Sequence, residues 1–201
     1  MKKIKFLIAI LVLLFSFTLV SCGGSDVVTE EEWKSAFTLS NFDNVVIDVI
    51  EYPSTPDEEY KNILKVDSGI YYVNEQVIEN DVVVYSCEYY YFNDFYGTWE
   101  LEFDEETNSW LQDEDDDEFY ESAREYFHEI CRFKYSEFSY DESKQCYVGI
   151  VDGMNYAIYF ANGKVSKINE SYLDKPDRGT SYVFHSYGKV DLELPEFIGC
   201  L

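Results

Sequence analysis

Phe95-Tyr96-Gly97-Thr98-Trp99-Glu100-Leu101-Glu102-Phe103 alternates without a break. Phe95, Gly97, Trp99, Leu101 and Phe103 fall on one side of an extended chain, and Tyr96, Thr98, Glu100 and Glu102 on the other. That is the period of a strand with one buried and one wet face. The preceding stretch, Asp81 to Phe92, is β-branched and aromatic, and Asn93-Asp94 turns one into the other.

Working outward, the same signals recur. Val45 to Tyr52 reads as a strand that Pro53-Ser54-Thr55-Pro56 breaks, and Tyr60–Val66 pairs with Ile70–Asn74 across Asp67-Ser68-Gly69. Towards the C-terminus, Phe138–Tyr140, Cys146–Val151, Met154–Phe160, Val165–Tyr172, Thr180–Tyr187 and Val190–Leu194 form a second series, which Pro195 ends. Asn162-Gly163 within it predicts a type I′ hairpin turn. Two helices interrupt the strands. Thr29 and Glu32 have the spacing of a capping box, with Val28 and Trp33 as its hydrophobic staple, and Trp33, Ala36 and Phe37 form one apolar face. The second helix starts within the six acids Asp113–Glu118, which complement a helix N-terminus. Its stripe is Phe119, Ala123, Phe127 and Ile130, widened by Tyr126 and Cys131, with Arg132 and Lys134 at the far end.

The order is one helix, an antiparallel meander, a second helix and another meander. No strands alternate with crossover helices, so a parallel doubly wound fold is excluded. The expectation is a mainly β protein of the α+β class: one large curved antiparallel sheet, a half-open barrel, with both helices on its concave face.

Upstream of all this, Met1-Lys2-Lys3-Ile4-Lys5 is basic, and Ile4 through Val20 carries no charge after Lys5. A basic then apolar leader with a small residue before a cut describes a secretory signal. Its end, Leu19-Val20-Ser21-Cys22, resembles the lipobox of bacterial lipoproteins. That resemblance implies cleavage after Ser21 and a diacylglycerol thioether on Cys22, whose thiol alone supports the bond. Residues 1–21 are then the signal peptide, 22–28 the lipidated cysteine and tether, and 29–201 a single domain. The protein is expected in the cell envelope, on the extracytoplasmic side, with its acyl chains as its membrane contact.

The chain carries a net charge of −25. Lys2, Lys3 and Lys5 leave with the leader, so the mature form is three units more negative. That excludes a nucleic-acid binder, which needs basic patches to displace phosphate counterions. The aromatic content of 18% excludes a disordered chain. A soluble, self-repelling monomer is expected.

Cys87, Cys131, Cys146 and Cys200 remain after Cys22. An even count in an exported chain reads as disulfides, with Cys131–Cys146 the favoured pair because the second helix must return to the sheet nearby. No Gly-rich phosphate loop, Gly-x-Ser-x-Gly elbow or His-Glu-x-x-His motif occurs. His128 and His185 have no recognisable orienting acid. The acidic run lacks the alternating spacing that wraps carboxylates around calcium. Neither a catalytic centre, a metal site nor a cofactor is expected.

The segment Tyr182-Val183-Phe184-His185-Ser186-Tyr187-Gly188-Lys189-Val190-Asp191-Leu192-Glu193-Leu194-Pro195, taken with the element order, resembles the end of LolA-like lipoprotein carriers and the related mycobacterial glycolipid-carrier lipoproteins. Tyr187-Gly188 and Pro195 carry the match, while His185-Ser186 is more polar than that pattern. The resemblance implies a half-open barrel over an apolar cavity that takes a lipid or other apolar ligand, with no catalytic residue. The walls of such a cavity are expected from Phe95, Trp99, Leu101, Met154, Tyr156 and Ile158, and its lid from Trp33, Phe37, Phe119, Phe127 and Ile130. The competing expectation is a surface interaction module with a filled core and an acidic, tyrosine-rich exterior.

The lipobox reading has a direct consequence. Cys22→Ser is expected to shift the protein from the membrane to the soluble fraction, or to block leader removal. Continued cleavage at the same bond with full membrane retention would contradict it.

Overall fold

A computed structural model of the protein describes residues 26–51, 58–104, 106–114 and 118–198. The leader, Cys22, Gly23–Ser25, Tyr52, Pro53–Pro56, Asp115–Asp117 and Cys200 lie outside the described residues. The elements run α1 (Glu30–Ala36), a 3₁₀ turn at Leu39–Asn41, then strands β1 (Asn44–Glu51), β2 (Glu58–Asp67), β3 (Ile70–Glu79), β4 (Val82–Asn93), β5 (Thr98–Asp104) and β6 (Ser109–Glu114). Helix α2 (Phe119–Ile130) and a 3₁₀ turn at Tyr135–Glu137 lead into β7 (Phe138–Asp141), β8 (Cys146–Val151), β9 (Met154–Ala161), β10 (Lys164–Tyr172), β11 (Gly179–Tyr187) and β12 (Phe197–Ile198).

Among the described residues, twelve strands form one open sheet in the order β12-β6-β5-β4-β3-β2-β1-β11-β10-β9-β8-β7. Each meander keeps sequence order, and they join where β1 pairs with β11. The expected α+β, mainly β architecture with an open curved sheet is what the chain adopts. Every pairing is antiparallel except β12 on β6, which is parallel.

Both helices lie on one face of the sheet. Thr29 caps α1 as its spacing predicts: its hydroxyl accepts from Glu32 N, and Glu32 Oε2 accepts from Thr29 N at 2.7 Å. Trp33 is the anchor of that helix, buried to 1%. Its ring meets Phe37 and Phe138 at 5.0 Å, Tyr147 and Phe160 at 5.3 Å, and its Nε1 donates to the Phe133 carbonyl at 3.0 Å. Helix α2 crosses the same face as a diagonal strut from β4 towards β9. Phe119 stacks on Tyr91 at 4.3 Å, Phe127 on Phe42 at 5.6 Å and Tyr126 on Tyr182 at 4.4 Å. Beyond it, Phe133 reaches Tyr156 at 4.9 Å. The ring of Phe138 lies across Gly149 so closely that a Cβ there would come within 2.6 Å of it. Only glycine lets β7 and its aromatic settle on β8.

The other face carries a second apolar cluster. Tyr91 opposes Glu100 and Tyr89 opposes Glu102, so the helix side of β5 is acidic and Trp99, Leu101 and Phe103 point the opposite way. There Tyr72 meets Tyr90 at 5.1 Å, Tyr90 meets Trp110 at 5.1 Å, and Leu101 is wholly buried. The segment after β11 crosses the rim of the sheet towards this cluster. Asn44 grips it from both sides, donating from Nδ2 to the Val190 carbonyl at 2.7 Å and accepting from Val190 N at 2.8 Å. Asp67 Oδ2 accepts from Leu192 N at 3.0 Å, a bond that holds its carboxyl below the usual carboxylate range. Phe197 then packs on Phe92 at 6.1 Å.

Three local expectations need correcting. Ser109–Glu114 is a strand that a short polar stretch hid, so Asp113 and Glu114 end β6 and α2 starts only at Phe119. Glu118, at its N-cap, is left-handed (φ 53°) and makes no side-chain cap bond. Val190–Leu194 forms no ladder, because Asn44 and Asp67 take its backbone groups. Pairing resumes past Pro195 at β12, where the sheet was expected to have ended.

Leu101→Ala is expected to destabilise the fold by about 2–5 kcal/mol, since it empties a filled site. Phe95→Ala, at a residue 95% exposed, should change stability by less than about 0.5 kcal/mol. Urea unfolding of the two variants checks both.

Candidate functional site

Strand β4 has twelve residues and β5 seven, and they pair only from Tyr89↔Glu102 to Asn93↔Thr98. Beyond Tyr89 the β5–β6 hairpin turns away and opens a cleft of about 880 Å³. One wall is β4 itself, Val84 to Glu88; the other is Glu102, Phe103, Asp104 and Leu111. Val82, Val83, Val84 and Tyr85 are 49–61% exposed, an unusual stretch of bare valine on a strand.

The electrostatics of the cleft are one-signed. Glu88, Glu102 and Asp104 line it with no lysine or arginine among the lining residues. Glu88 Oε1 accepts from Asn74 Nδ2 at 3.2 Å, and Cys87 Sγ lies 4.0 Å from Glu102 Oε1. Asp104 accepts from the Thr107 hydroxyl and from Glu106 N at 2.9 Å, which holds its carboxyl ionised below the ordinary range. Hydrogen bonding to the Cys87 sulfur raises the Tyr85 and Tyr89 hydroxyls, so both stay neutral donors. Among the described residues no cluster of three or more His, Cys, Asp and Glu is placed to hold a metal ion.

A second polar group sits under α2. Tyr182 donates to Glu170 Oε1 at 3.0 Å, and burial pushes that carboxyl above its ordinary value. Burial likewise takes Tyr156 to about 12. The hydroxyl of Tyr126, whose ring stacks on Tyr182, is buried and has no hydrogen-bond partner among the described residues. The arrangement is a neutral-leaning brace between helix and sheet.

The residues expected to surround one cavity are divided by the sheet. Trp33, Phe37, Phe127, Ile130 and Ile158 are buried together on the helix side, with Phe119 and Tyr156 packed at their margin. Trp99 and Leu101 face away from the helices, and Phe95 projects from the β4–β5 turn. The expected common wall is therefore not formed, because the β4–β5 register inverts which face of β5 is apolar. Met154 is half-buried at the start of β9, opposite Val151 and Tyr172. The cleft residues Val84–Glu88, Glu102 and Asp104 were missed. The signal for them was the unequal length of β4 and its return strand, with an uncharged Val82–Cys87 run in the excess.

Cys87, Cys131 and Cys146 are free thiols, so the Cys131–Cys146 bridge is not formed. The two lie in separate surroundings: burial raises both, but Cys131 sits near Asp43 and Cys146 hydrogen-bonds with Tyr159. Among the described residues no helix is long and apolar enough to cross a membrane. Compared with models of known protein families and with curated proteins, the chain matches none.

Because folding raises the Glu170 carboxyl, the native state binds its proton more tightly than the unfolded chain does. Stability falls as pH rises from the ordinary carboxylate value through the folded one. Glu170→Gln is therefore expected to raise Tm at pH 7.5, with the gain disappearing near pH 4. Thermal scans at the two pH values test this, and equal Tm values at pH 7.5 would refute it.

Proposed function

We propose that this chain is a bacterial lipoprotein, anchored in the cell envelope through acyl chains on Cys22, whose domain is a non-enzymatic protein-interaction module. The observation that carries the reading is the state of the helix–sheet interface. The aromatic residues of α1 and α2 pack on the sheet and on the segments beside it, with five rings within 6 Å of Trp33 and α2 stacked on Phe42, Tyr91 and Tyr182. A carrier of lipid or another apolar ligand needs that space open.

The anchor would hold the domain close to the bilayer. Asp26 N donates to the Phe160 carbonyl at 3.0 Å, and Asp26 Oδ2 accepts from Asn162 N at 2.7 Å. Val28 exchanges two hydrogen bonds with the Tyr147 hydroxyl, at 2.9 and 2.8 Å. Residues 26–28, expected as tether, thus belong to the domain. The reach left between Cys22 and Asp26 is at most about 14 Å. The negative charge then favours keeping the polypeptide off an anionic surface and its outward side available to other proteins.

Native mass spectrometry of residues 23–201, purified without detergent, separates this from lipid carriage. A bare mass and no uptake of a fluorescent fatty acid are expected. Adducts of lipid mass that vanish in Phe127→Asp would overturn the reading in favour of a carrier.

A further inference from the structure

We infer that the cleft between the free edge of β4 and the β5–β6 hairpin takes an extended, cationic segment of a partner protein, which adds to β4 as a further strand. This rests on the reading of the domain as an interaction module and names what it binds.

The first ground is the backbone. Among the described residues, no strand pairs with Val82–Glu88 on the side facing β5. Unpaired N–H and C=O groups along an edge are a template for another chain. Elsewhere the sheet blunts its edges: β7 has four residues and β12 two. Val82–Cys87, in contrast, contains no proline and no charged residue. A bulge opposite Val77/Ile78 re-aims Val84, leaving Tyr85–Glu88 as the regular stretch. Four residues extend about 14 Å, and the bare valines beyond them offer apolar contact to the end of the guest.

The second ground is charge. A guest strand entering the cleft passes Glu88, Glu102 and Asp104 and meets no base. Lysine or arginine on the guest would answer them, with apolar side chains towards Val82–Tyr85. A second copy is a poor guest. It brings the same three acids, the same bulge and a chain charge of −25 to a site already negative.

The full-length lipidated protein in nanodiscs of zwitterionic lipid, with empty nanodiscs as the control, provides the test. The probes are an extended fluorescent peptide alternating valine with lysine and its valine–glutamate counterpart. The lysine peptide is expected to bind at least tenfold more tightly, with affinity falling as salt rises. Amides of Tyr85–Glu88 should gain protection from hydrogen exchange. Glu102→Lys, at an exposed position, should weaken binding about tenfold while Tm stays unchanged. Equal binding of the two peptides, no binding, or protection elsewhere would overturn the inference. So would a concentration-dependent dimer that already protects Tyr85–Glu88 without peptide, which would assign the edge to a second copy. Fatty-acid uptake reads the packed core alone, so failure of the peptide experiment leaves the interaction reading separately testable.

Discussion

The pleat imposes the constraint on which this structure depends: neighbouring side chains on a strand must face opposite ways. Between β4 and β5 the apolar set changes sides, with Tyr91 opposite Glu100 on one face and Phe92 opposite Trp99 on the other. Strands before that point bury residues under the helices, and β5 and β6 bury theirs on the reverse. β3 and β4 stand where the two clusters overlap and must be apolar on both faces. That is the physical reason for the unbroken Tyr89-Tyr90-Tyr91-Phe92 run, which no single buried face would require.

This arrangement determines where the molecule is open. The helix side is closed by aromatic packing around Trp33 and by α2 lying across it. The reverse side is closed near β12 by the returning C-terminal segment. What stays uncovered is the overhang of β4 past β5, where the hairpin carrying Glu102 and Asp104 departs. An acidic hairpin has no reason to pair onto Glu88, and like charge along both walls favours the separation.

Much of the architecture could be read from local pattern. The capping box at Thr29, the turn at Asn162-Gly163 (both φ positive) and the strand alternation all operate within a few residues. Hence the sequence and the structure agree on them. What escaped depends on partners distant in the chain. β6 is short and polar, and only its β5 and β12 neighbours make it a strand. The side on which Trp99 and Leu101 lie is a matter of register against β4, which periodicity cannot supply. The cleft escaped for a related reason: it is a strand's lack of a neighbour, which no residue type encodes. Cys131 and Cys146 stay unbridged because an even number of cysteines says nothing of the distance between any two of them.

The join between the meanders carries a consequence for the order of synthesis. β1 is among the first structured segments to emerge, yet its second neighbour, β11, ends at Tyr187. Asn44 and Asp67 likewise wait for Val190 and Leu192. The early meander therefore leaves the ribosome with one side of its first strand bare, and local hairpins cannot close it. Such distant pairing makes for slow completion. Until Tyr187, Val190 and Leu192 have been made, the fold lacks its closing stitch and the chain stays threadable.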